Sequence, residues 1–468
     1  MKKLFIAAAF LGLITTGCRK IEVDGTTTTV VSGGGAGGTT ENVILEGRII
    51  ENRTLKAQYT YKLRGLVYVT NGAVLTIEPG TKIVGETGKN GGLIICRSAK
   101  IVADGTVDKP TVFTSESATP APGDWAGLVI LGNAPTNATF NGQTGIGEIE
   151  GGINNSDGLG LYGLGASSNP ADNSGILRYV RIEYAGYAFL PDKEINGLTL
   201  GGVGNKTIID YVEVYRANDD SFEWFGGTVK CSHLIAYKGL DDDWDVDNGF
   251  SGKVQFGISM RDSSVADISG SNGFEVDNDA SGSNTAPQTS AVFSNMTVIG
   301  PRATLTNAGN SNFKRGMHLR RNSSISIFNS IIMGWPVGLL VDASTGRPTD
   351  LNISGGTMVL ANNILASNNT PFSYTASASA PTGWTTTDLT SYFNQPANNN
   401  SVLATNNDVA LGAPFKYDNT VDFNPAASSP ALAGAAFSNA KLTGLTSVTY
   451  RGATASGDAW WKGWTKFN

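Results

Sequence analysis

Three cysteines in 468 residues are too few for a disulfide framework. Beyond Cys18 only Cys96 and Cys231 remain, in no CxxC arrangement, which excludes a zinc knuckle and leaves both as small buried residues. Lysine and arginine form no run, and a net charge of -6 with a pI near 5.1 excludes nucleic acid as a partner. Long helical periodicity is missing; only Thr386–Phe393 reads as a short helix. The leading apolar run, residues 4–14, is too short for a permanent membrane span.

What is present begins with an address. Lys2 and Lys3, the apolar run and Thr15-Thr16-Gly17-Cys18 read as a bacterial secretory signal over residues 1–17, ending in small residues that resemble a lipobox. Cys18 is then the expected lipidation site, although Thr15 stands where leucine is usual. Residues 18–40 are rich in threonine and glycine and read as a flexible tether. A single folded domain is expected over 41–468, with a C-terminal cap at about 440–468 built on Trp460, Trp461, Trp464 and Phe467.

Glycine (59 residues) far outnumbers proline (17), and short Val/Ile/Leu runs alternate with Gly/Asn/Asp turns, so many short strands are expected. Repetition selects the architecture. "GAVLTIEPGT" (72–81) returns as "SAKIVADGT" (98–106), matching Ala73, Leu75 and Ile77 to Ala99, Ile101 and Ala103. One pentad recurs as "GLTLG" (197–201), "SFEWF" (221–225), "DWDVD" (243–247), "GFEVD" (273–277), "GMHLR" (316–320) and "GLLVD" (338–342). A second ladder runs through "YVRIEY" (179–184), "YVEVYR" (211–216), "HLIAYK" (233–238), "KVQFGI" (253–258), "NMTVIG" (295–300) and "SIIMGW" (330–335). Two series with a shared unit of roughly 22 residues describe the coils of an all-β parallel β-helix, a solenoid with inserted loops. Alternation points Phe222, Trp224, Trp244, Val246, Phe274, Val276, Met317, Leu319, Leu339 and Val341 inward.

The stretches "GLVYVTNGAVLTIEPGTKIVG", "GDWAGLVILGNAP", "LRYVRIEYAG", "DNGFSGKVQFGISMRD" and "YRGATASGDAWWKGWTKFN" together resemble the large β-helix lipoproteins of Bacteroidota outer membranes, over nearly all of 41–468. That resemblance implies a pectate-lyase-like right-handed β-helix in the outer membrane, periplasmic or surface-exposed. It implies no established reaction.

The residues between the inward ones form two outward columns. One holds Thr199, Glu223, Asp245, Glu275, His318 and Leu340; the other holds Gly201, Phe225, Asp247, Asp277, Arg320 and Asp342. Neighbouring strands lie ~4.8 Å apart, so stacked carboxylates at an effective dielectric of about 20 repel by roughly 3 kcal/mol per adjacent pair. Three compensations are available: a hard cation such as Ca²⁺ held by Glu223, Asp245, Asp247, Glu275 and Asp277; raised carboxyl pKa values; or neutralisation by Arg320, Arg321 and Lys253. The cation is the preferred expectation. "GLDDDWDVDNG" (239–249) fails as an EF-hand, since its sixth and twelfth positions from Asp243 do not carry Gly and Glu. "GLGLYG" (158–163) lacks the strand and helix a dinucleotide site needs.

Two functional classes follow. One is a lipid-anchored binding or structural protein whose acidic column takes Ca²⁺ and glycan, without an organic cofactor. The other is a polysaccharide lyase or glycoside hydrolase on acidic polysaccharide, with Asp245 or Glu275 as acid or base beside His318 and Arg320. No asparagine-threonine-aspartate or glycine-histidine-glycine motif supports the second. A role beside an outer-membrane uptake or secretion machine is a third possibility. His233, level with Tyr179 and Tyr211, reads as a strand residue.

Overall fold

A run of a few alternating apolar residues buries one face only, and a coil of such runs gains a core when the next coil stacks on it. The computed structural model shows that stacking along the whole domain. It describes residues 42–189, 194–307 and 309–468, with the backbone of strands Arg19–Val23 and Thr26–Val31. The signal segment and Cys18 lie outside the described residues. Within 18–40 the two strands pair antiparallel, and the second continues onto Asn42 and Val43.

The body is a right-handed parallel β-helix with three sheets as its sides. The first sheet stacks Gly92–Ile95, Gly127–Leu131, Leu198–Gly201, Phe222–Phe225, Trp244–Asp247, Phe274–Val276, Arg315–Leu319, Val337–Asp342 and Thr370–Thr375. Strands Gly175–Glu183, Ile208–Tyr215, Lys230–Tyr237 and Lys253–Met260 each supply the second sheet with their first half and the third with their second. They bend at Tyr179, Tyr211, His233 and Phe256, whose φ lies between 50° and 63°. Asn295, Asn329, Asn362 and Asn399 take the same left-handed turn in later coils, which suits asparagine. In aromatic residues it is strained, and ring stacking offsets the strain: Tyr179 to Tyr211 at 4.5 Å, Tyr211 to His233 at 4.3 Å, His233 to Phe256 at 5.1 Å.

Register in the first sheet follows the pentads. Leu198 faces Phe222, Glu223 faces Asp245, Asp245 faces Glu275, and Glu275 faces His318. The ten residues expected to point inward are fully buried, and Leu75 and Ile77 pair with Ile101 and Ala103 as the early repeat requires. The second ladder needs correction at two rungs. Leu234 pairs with Gly257, so "HLIAYK" matches 256–261 rather than 253–258. The apolar pattern is broken there because Met296 fills the inward slot at Gly257; a Cβ would lie 2.1 Å from its methyl. Thr297 pairs with Ile331, which moves the last rung back one residue to the left-handed turn at Asn329.

The C-terminal segment does not cap the last coil. Residues 451–468 run back along the outer face of the third sheet, where Trp461, Trp464 and Phe467 pack with Tyr184, Tyr215, Tyr237, Ile258 and Met260. Glu213 accepts the Lys466 N–H at 3.0 Å, and Arg181 donates to the Trp464 carbonyl at 3.1 Å. Helix Thr386–Phe393 covers the final rung of the first sheet instead, burying Leu389 and Phe393 against Phe372. Thr385 and Asp388 form a reciprocal cap at its start.

A candidate cation-binding cleft

The outward columns of the first sheet do not face open solvent. Loops inserted between rungs fold back over them, with Tyr162 packed on Phe225 and Asn196 donating to Glu223, so that Glu223 is only 6% exposed. Roofing removes water from groups that repel each other, and the two ends of the acidic stretch respond differently.

At the lower end the carboxylates are neutralised. Arg320 grips Asp277 through Nε at 2.7 Å and Nη2 at 3.0 Å and also pairs with Glu275, while Arg321 reaches Asp277 at 2.7 Å. His318, 5% exposed, lies between Glu275 (Nδ1, 3.3 Å) and Asp342 (Nε2, 3.6 Å). Burial alone would raise the Glu275 carboxyl, but the His318 hydrogen bond and Arg320 bring it below the ordinary range. Asp342 drops to about 2 for similar reasons, burial being outweighed by His318 and Ser344. Asp277 stays somewhat raised because its burial exceeds the pull of Arg320. Lys253, the third expected neutraliser, plays no part here: its ammonium donates to the Thr443 carbonyl on another face.

At the upper end nothing comparable happens. A cleft of about 500 Å³ has Asp220, Glu223 and Asp245 in its floor, Asp219 and Asp241 on the turns that lead into the rungs, and Glu150, Glu194 and Asp267 on inserted loops. No lysine or arginine among the described residues lines it. Burial, then mutual repulsion, pushes Asp219, Asp220, Glu223, Asp242 and Asp245 well above the carboxylate range. Asp241 rises to about 6 and Asp247 to about 8, again chiefly through burial.

Oxygens from three overlapping triplets, Asp219/Asp220/Asp241, Asp220/Glu223/Asp245 and Asp242/Asp245/Glu275, lie within 4.8 Å of one another in each group. Two ligands on opposite sides of a Ca²⁺ ion at ~2.4 Å are separated by about that much, and a set made of oxygen alone suits a hard cation. Two buried oxygens, Oδ1 of the triplet member Asp241 and Oδ1 of the adjacent Asn272, have no hydrogen-bond partner, although the Asn272 amide nitrogen reaches Glu275 at 3.1 Å. The acids also hold the coils together. Asp220 accepts the Asp242 N–H at 2.7 Å, and Asp242 in turn accepts the Asn272 N–H.

Of the residues expected from sequence to bind metal, the structure gathers Glu223, Asp245 and Glu275 into these triplets and leaves Asp247 and Asp277 to one side. Asp219, Asp220, Asp241 and Asp242 were not anticipated. Their signal was present: Asp219-Asp220 and Asp241-Asp242 repeat at 22 residues, the same step as Phe222 to Trp244. Glu150 and Glu194 sit on insertions with no periodicity to reveal them.

Asp243, the one member of the Asp241–Asp243 run outside the triplets, forms a wholly buried pair with Arg261 at 2.8 Å. Arg261 also donates to the Leu240 carbonyl at 2.9 Å, clamping the turn that carries Asp241 and Asp242 from behind. Cys96 and Cys231 are free and buried, as the sequence suggests.

A family model described as "Pectate-lyase like beta helix domain" matches residues 47–413. The chain belongs to that family. The match takes in every coil that contributes to the cleft and stops before the C-terminal strap. No curated protein and no solved structure matches the chain.

Proposed function

We propose that this pectate-lyase-like β-helix is a cell-envelope binding protein, carried at the outer membrane by lipid on Cys18, whose acidic cleft binds divalent cations and, through them, an acidic glycan. The carrying observation is the unneutralised upper end of the acidic stretch: carboxylates roofed by protein, without an arginine or lysine in the described lining, and spaced for a hard cation. The family description supports a polysaccharide as the class of ligand. Ca²⁺ is the cation favoured, because shared, flexible oxygen ligands from turns and loops suit it better than the strict octahedron of Mg²⁺.

Binding is preferred to lyase or hydrolase chemistry because His318 and Arg320 are each held by carboxylates on more than one side, which leaves neither turned to a substrate. Calorimetric titration of EDTA-treated protein with Ca²⁺ tests the reading. Saturable binding in wild type and its loss in Asp220→Asn/Asp245→Asn are expected; no heat in wild type overturns it. An unsaturated, ultraviolet-absorbing product from an acidic polysaccharide, lost in His318→Ala, would favour the enzyme instead. Detergent-phase partitioning of wild type against Cys18→Ser, which should stay aqueous, tests the anchor.

A further inference from the structure

The third sheet carries a feature of opposite sign. On its outward face Lys82, Val112 and Arg181 occupy one column on successive rungs, and Val84, Thr114 and Glu183 the next. Lys82 and Arg181 are therefore about 9.6 Å apart at the backbone, two rung spacings, with the short Val112 between two long cationic side chains. That difference in length makes a recess. Lys466 closes it from the C-terminal strap, its ammonium placed over the Tyr184 and Tyr215 rings at 4.9 and 4.6 Å. The resulting cavity of about 480 Å³ is also lined by Ser117 and by Thr114 and Ser115, whose hydroxyls donate to Glu183 and to Asp124.

The charges do not cancel. Glu183 is the one acid in the lining, against Lys82, Arg181 and Lys466, which leaves an excess of two positive charges. Glu183 is buried and already satisfied by Arg181 Nε (2.9 Å), Lys466 Nζ (3.2 Å) and Thr114 Oγ1 (3.0 Å). Arg181 places Nη1 on the Trp464 carbonyl, which leaves Nη2 over for the recess. Lys82 is exposed at the mouth and forms no ion pair among the described residues. On a protein of net charge -6, this excess of cationic groups around one cavity is suited to a planar or tetrahedral oxyanion.

We infer that this recess is an anion-binding site for a carboxylate or sulfate group. Two sources have that chemistry, a small free anion and an acidic sugar unit within a chain. The site lies on a different sheet from the cation cleft and does not depend on it.

Titration of the intact protein in EDTA, with the cleft kept free of metal, tests the assignment. Sodium glucuronate, a glucuronate tetrasaccharide, inorganic sulfate and neutral glucose are the probes. Glucuronate and sulfate should bind in competition and glucose should not. Lys82→Met, at an exposed position, should weaken both by roughly three- to fivefold with an unchanged melting temperature. A tetrasaccharide binding more tightly than the monosaccharide assigns the site to a chain; equal affinities assign it to the free anion. The inference is overturned if neither anion binds, if glucose binds equally, or if Lys82→Met and Arg181→Gln both leave affinity unchanged. Asp245→Asn should leave these affinities as they are, so failure here and failure of the cation reading are separable.

Discussion

A single buried pair shows how much rests on individual side chains. Arg261 and Asp243 are both wholly buried, and the remaining oxygen Asp243 Oδ2 and nitrogen Arg261 Nε find no further partner. Removing one member strands the other in a medium that cannot solvate it. Arg261→Met should cost about 3–5 kcal/mol in urea unfolding, while Arg261→Met/Asp243→Leu should recover most of that loss. Because Arg261 also holds the Leu240 carbonyl, the single variant should weaken Ca²⁺ binding in a titration even where it remains folded. At the cleft itself the direction reverses. Asp245→Asn removes a repelled carboxylate, so in EDTA its melting temperature should exceed that of wild type, and excess Ca²⁺ should narrow or invert the difference.

At the scale of one element, the acidic stretch contains carboxyls that titrate in opposite senses, Asp241 and Asp247 against Glu275 and Asp342. Asp241 and Asp247 are raised to about 6 and about 8, from an ordinary value near ~4. The folded chain then holds protons that the unfolded chain has released, so stability falls as pH rises between about 4 and about 8. Glu275 and Asp342 are lowered, and their contribution is present above ~4 and lost as pH falls toward about 2. In EDTA the melting temperature should therefore drop between about pH 5 and about pH 8.5; with Ca²⁺ the upper carboxylates ionise as the ion binds, and the drop should shrink or change sign. A fall of the same size with and without Ca²⁺ would argue against a cation in the cleft.

The pentads made this element legible, because a period of two, with inward aromatics on the three consecutive rungs 221–225, 243–247 and 273–277, leaves one register that buries Phe222, Trp224 and Trp244 together. The coil at 253–260 was not legible in the same way. Its inward volume comes from Met296 of the following coil, and no pattern within one rung can show that. The roof over Glu223 was equally hidden, since Glu150, Glu194 and Asn196 come from insertions whose fold-back depends on tertiary packing. Charge on the column could be read; its removal from water could not.

For the whole molecule, the C-terminal strap is the long-range closure. It covers tyrosines and apolar side chains on the third sheet that no coil buries, and joins 451–468 to rungs more than 200 residues earlier. A chain ending at residue 450 should keep the parallel β signal in far-ultraviolet circular dichroism, yet bind a hydrophobic dye strongly and self-associate on size exclusion, because it exposes a continuous apolar strip. Full-length protein should do neither. Glu213, wholly buried and raised to about 8 by that burial, is part of the same contact.

The strap also imposes an order on maturation. Coils 175–260 hold one another by strand pairing, but their tyrosine flank is covered only by a segment that lies some two hundred positions further along the chain. Until that segment docks, the flank would present bare aromatic surface. A quality-control factor that recognises bare aromatic surface could therefore distinguish finished molecules from truncated ones by this flank alone.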